Sequence, residues 1–154
     1  VASETESGLS AVEAAVDETP VALLSRRPAP DVWSVNAYAA HLEQAAEVIA
    51  ARVTAIAVQD VPLLPNHDQD AAVEAANGDT VPAQRSLERL RPTVQAFIAA
   101  IRRLPPDAWE RIGVHSAAGE VRLADVAHDM PHELQHHAQD IRYVHRSLLQ
   151  RDPQ

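Results

Sequence analysis

Five of the eight histidines fall between Leu123 and Leu149, and their spacing offers two ways to hold a divalent ion. Glu133 and His137 stand one helical turn apart, and His128, His132 and His136 step by four. The apolar ladder Leu123, Ala127, Met130, Leu134, Ile141, Val144 and Leu148 traces one face of a helix, with His137 as the rung between Leu134 and Ile141. At about 100° per residue, Glu133 lies roughly 40° from His137, and both sit on or beside that stripe. The second series falls more than about 90° from the stripe's centre and faces solvent. Pro131 removes a backbone hydrogen bond and bends the axis, which can turn His132 inward, so His132 and His136 remain alternative ligands.

A third ligand has to come from elsewhere. His41 lies at the edge of the stripe Val35, Tyr38, Leu42, Ala45, Ile49 and Ile56, in line with Arg52. Taken alone it reads as a half-buried polar residue. With Glu133 and His137 it completes two imidazoles and a carboxylate, a set that leaves coordination positions open and suits catalysis or ligand binding better than a structural ion. His67, within Asn-His-Asp-Gln-Asp, has ligand-type neighbours but reads as part of a solvated acidic loop. The chain has no cysteine, so a disulfide framework, a thiolate ligand and a cysteine nucleophile are all excluded. Any thiol has to arrive on a small molecule.

Four amphipathic helices must position these residues. Leu9, Val12 and Val16 mark the first, within 4–17, and Pro20 interrupts it ahead of a short helical turn. Ser34 is placed to cap the second, which runs to about Val58. The third carries Leu87, Leu90, Val94, Phe97, Ile101 and Leu104 and stops at Pro105-Pro106; the fourth is the histidine helix. Residues 59–82 hold three prolines and Asn77-Gly78 and read as a long connection with a short helix at 70–77. Residues 107–122 read as a compact loop or small hairpin. The pattern predicts an all-α, single-domain four-helix bundle over 1–154, of the up-down-up-down type with one long crossover.

Apolar residues make up 46% of the chain but aromatics only 3%, so the core has to be built from Ala, Val, Leu and Ile. A net charge of −9 argues against binding nucleic acid or acidic lipid. No apolar run approaches the ~20 residues that span a bilayer, and the first residues lack a signal-peptide pattern, so a cytoplasmic protein is expected.

Trp33-Ser34 followed by His41, together with His132 to Ile141 (HELQHHAQDI), resembles the DinB-like superfamily, and within it the thiol-dependent branch that includes mycothiol-dependent maleylpyruvate isomerases. The resemblance spans nearly the whole chain. It implies a metal-binding four-helix bundle with His41, Glu133 and His137 as ligands; the glutamate at 133 and Asp140 are similar to the isomerase branch. It also implies zinc, or else nickel or iron, and a low-molecular-weight thiol such as mycothiol. Expected partners are a small-molecule thiol and an electrophilic substrate, with Arg52 or Arg142 to hold an anionic substrate and a homodimer left open. A transferase or isomerase is the leading expectation. A non-enzymatic metal-binding or stress-response bundle is the alternative. The chain lacks an obvious second domain, so the maleylpyruvate activity itself is not carried over.

Overall fold

The computed structural model describes residues 1–151. Its long helices are α1 (Ala2–Asp17), α2 (Val35–Val58), α4 (Ala83–Ile101) and α5 (Leu123–Arg151), with a short α3 (Gln69–Ala75) in the connection between α2 and α4. Strands β1 (Leu63–Leu64), β2 (Ile112–His115) and β3 (Gly119–Arg122) form a small sheet in that order. The expected hairpin is β2–β3, and β1 pairs in parallel with β2. The fold class is thus the expected helical bundle. Every rung of the α5 ladder is buried on both sides of Pro131, and the helix continues through it.

The capping expectation for α2 also holds, since the Ser34 hydroxyl accepts from the Ala37 N–H at 3.1 Å. Asn36, two residues after the cap, ties three segments together. Its side-chain oxygen accepts from the Ala83 N–H at the start of α4, and its amide donates to the Asp79 carbonyl. At the other end of α2, Arg111 donates to the carbonyls of Ile56 and Gln59, fastening the hairpin's approach.

The alternating up-down-up-down order does not hold. Gln135 and Arg142 of α5 reach the carbonyls of Glu4 and Ala11, so α1 and α5 run in parallel. Asn36 with Ala83 and Glu43 with Arg89 make α2 parallel to α4. Glu6 with Arg102 and Glu13 with Arg91 set α1 against α4 in opposite directions. The order is therefore up, down, down, up. The cause is the connection 59–82, which retraces α2 and delivers α4 to the end where α2 began. At 1.5 Å per residue, that helix of 24 residues is about 36 Å long.

Close approach of α1 to α5 depends on Gly8. A Cβ built there would come 2.8 Å from the Leu134 Cβ, closer than side-chain carbons approach. Overpacking of this kind costs about 2 kcal/mol. Gly8→Val should therefore lower the melting temperature by about 4–8 °C. An unchanged melting curve would show that α1 does not sit at this distance.

Candidate metal centre

Helices α2 and α5 run in opposite directions side by side, and this brings His41 opposite the turn that carries Glu133 and His137. His41 is 1% exposed and His137 8%, so His41 sits deeper than its stripe-edge position predicts. The additional cover comes from aromatic rings. Trp33 lies 5.2 Å from the His41 ring, and Tyr38 lies 5.3 Å from both Trp33 and His137. Both imidazoles converge on one carboxylate oxygen: His41 Nε2 is 3.1 Å and His137 Nε2 3.2 Å from Glu133 Oε2. The ligand atoms of the three residues lie within 4.8 Å of one another.

Asp140 decides which way the His137 ring is loaded. Its Oδ2 lies 2.9 Å from His137 Nδ1, which therefore carries a hydrogen, and a neutral ring then turns the Nε2 lone pair toward the Glu133 carboxylate. A lone pair facing a carboxylate is favourable only with a cation between them, either a proton or a metal ion. In the absence of metal a proton has that place. Burial disfavours the charged ring of His137, but hydrogen bonds and charges of Glu133 and Asp140 outweigh it and raise its pKa. Hydrogen bonds from His137 and then His41 hold the Glu133 carboxyl far below the usual range. His41 Nδ1 is buried without a hydrogen-bond partner, while its Nε2 faces Glu133 Oε2. Tyr38 is pushed up to about 12, first by burial and then by Asp140 and Tyr143, and stays a neutral phenol. The donor set is one that a divalent ion would satisfy.

The other histidines divide. His128, His132 and His136 are exposed, and the rings of the last two stack on each other at 5.8 Å. Pro131 has not turned His132 inward. A second grouping, His136, His137 and Asp140, shares two residues with the Asp140 contact just described and opens to the surface through His136.

The segment around His67 is exposed as expected, but the His67 side chain itself is turned inward. Pairing of β1 with β2, an Asn66 N–H donated to Ser116 Oγ and an Arg52 hydrogen bond to the Pro65 carbonyl draw this segment onto α2. His67 is half-buried there and lines a pocket of about 140 Å³ together with His41, Glu133, Arg52, Asp129 and His115. His115 had no local sequence signal, because only strand pairing between distant segments brings it to the pocket. Of the two arginines expected to hold an anion, Arg52 lines the pocket. Arg142 reaches the Ala11 carbonyl on α1 and Glu18 just past its end instead.

A profile of the DinB superfamily matches residues 4–141. The chain belongs to the DinB superfamily. Among solved structures, this DinB bundle is similar to YfiT from Bacillus subtilis, described as a probable metal-dependent hydrolase with an unusual four-helix bundle topology. The TM-score is 0.80 at 17% identity, over 97% of this chain and 84% of that one. It is also similar to the mycothiol-dependent maleylpyruvate isomerase, with a TM-score of 0.73 at 15% identity over 91% of this chain. It spans 58% of the isomerase's length. At these identities the likeness speaks for the fold. No curated protein matches by sequence. Among the described residues no helix is long and apolar enough to cross a membrane.

Proposed function

We propose that His41, Glu133 and His137 bind one divalent ion, zinc before nickel or iron, and that the centre activates the thiol of a small cofactor such as mycothiol for transfer to an electrophile or its isomerisation. The observation that carries this reading is the convergence of two buried imidazoles on Glu133, with Asp140 orienting one of them. A bound ion would act as a Lewis acid, lowering a thiol's pKa as it lowers that of water. The chain's own residues do the rest. Trp33 and Tyr38 shield the imidazoles on one side, while the pocket lined by Arg52, His67 and His115 leaves the other side open to small molecules. Likeness to a mycothiol-dependent enzyme supports a thiol as co-reactant, and the absence of cysteine is compatible with it. The cytoplasm is the compartment that keeps such a thiol reduced.

The deciding experiment uses protein purified without a nickel column and loaded with cobalt. Titration with a low-molecular-weight thiol should change the cobalt absorption spectrum saturably. A spectrum indifferent to thiols would leave a metal-binding bundle without thiol chemistry. Asp140→Asn should weaken zinc affinity by about 10–100-fold, because the ring-orienting carboxylate is lost. Competition against a chromogenic chelator measures this, and unchanged affinity would remove Asp140 from the centre.

A further inference from the structure

His115 and Arg52 are arranged in a way that hydrogen bonding within the protein does not explain. His115 Nδ1 accepts from the N–H groups of Ala117 and Ala118, both at 3.2 Å. An imidazole that accepts at Nδ1 carries its hydrogen on Nε2. Arg52 Nη2 stands 3.1 Å from that Nε2, and a guanidinium has only donors. Two N–H groups therefore face each other. Arg52 Nε is buried without a partner, and so is His67 Nε2 on the facing segment. The guanidinium is held in place by its 2.8 Å hydrogen bond to the Pro65 carbonyl, so these donors are oriented before anything binds.

We infer that Arg52 and His115, with His67 opposite, form a subsite for the carboxylate of a small monoanionic ligand. A carboxylate is acceptor-only, and its two oxygens match the planar guanidinium fork while accepting from the His115 N–H. One negative charge suits the pocket better than two, because Asp129 and Glu133 share its wall with Arg52. Continuity of surface suggests what the rest of the ligand is. Beside the pocket, and sharing Arg52 and His67 with it, runs a mainly apolar groove of about 300 Å³ lined by Val48, Ala51, Ala55, Leu63 and Pro65. Leu63 is 73% exposed there. The hydrocarbon portion of the same carboxylate is the occupant assigned to this groove.

As a statement of substrate class this rests on the metal-centre reading; as a statement of binding it does not. The test follows the Arg52 Nε–H resonance by NMR in metal-free and zinc-loaded protein during titration with acetate, hexanoate and inorganic phosphate. The resonance should move saturably with both carboxylates, with or without zinc. Hexanoate should bind about tenfold or more tightly than acetate, given what each buried methylene contributes. Arg52→Lys keeps a positive charge and a donor for the Pro65 carbonyl. It should still weaken hexanoate binding at least about fivefold, followed by ligand-detected NMR and with an unchanged thermal melt, because the bidentate fork is gone. An Arg52 signal that ignores carboxylates would overturn the subsite, and equal affinity for acetate and hexanoate would overturn the groove. Tighter binding of phosphate would overturn the carboxylate assignment. Binding that needs zinc and survives Arg52→Lys would place the anion on the metal instead. If the thiol experiment fails and carboxylate binding persists, only the thiol chemistry is lost.

Discussion

Glu133→Ala and His137→Ala should each abolish tight binding of one zinc ion per chain, with a loss in affinity of at least about 100-fold. Both side chains present ligand atoms to the same small volume, and removing either leaves two donors where three converge. The effect should be visible in stability as well. An ion present at 100 times its dissociation constant stabilises a protein that binds it only when folded by about 2.7 kcal/mol. For a chain of this size that raises the melting temperature by about 5–10 °C. The informative quantity is the zinc-induced shift within each variant, because emptying a buried position changes the metal-free protein too. His128→Ala is the control. Its ring is exposed and bonded to the Ala124 carbonyl, so stoichiometry and zinc-induced shift should match the wild type. Equal loss in all three variants would mean adventitious binding to the histidine-rich face.

The second large effect is kinetic. Zinc-loaded protein should accelerate the reaction of a small thiol with an electrophile at pH 7 by about 30-fold or more, since a free thiol is only a few per cent thiolate there. His41→Ala should return the rate to that of the metal-free protein. The reason is structural: His41 comes from α2, whereas Glu133 and His137 both come from α5, so His41 alone closes the centre across the two helices. Stopped-flow absorbance of a chromogenic electrophile gives the rate. Acceleration that survives His41→Ala with zinc still bound would detach the chemistry from this centre.

Much of the centre was legible in local pattern. The position of Glu133 and His137 on the inward side of α5 follows from the 3.6-residue period alone, and the ladder's register survives Pro131 because apolar rungs on both sides of the proline are buried together. Ser34 as a cap, the hairpin before α5 and the helical character of the bundle come from equally local rules, as does the family resemblance carried by Trp33-Ser34, His41 and the histidine motif. Periodicity says which face of a helix is buried, but not which neighbour it meets or in which direction that neighbour runs.

Those matters were decided by tertiary structure. Alternating helix direction is the natural expectation when connections are short, whereas a 24-residue connection that retraces α2 reverses it without leaving a mark on any helix's own sequence. The depth of His41 depends on Trp33 folding over it, and the inward turn of His67 depends on Leu63 and Leu64 pairing with Val114 and His115, about fifty residues away. Arg52 and His115 meet only because that pairing forms. Hydrophobic period is a property of one element, while the pocket is a property of contacts between elements far apart in the chain, and the sequence carries no local signal for these.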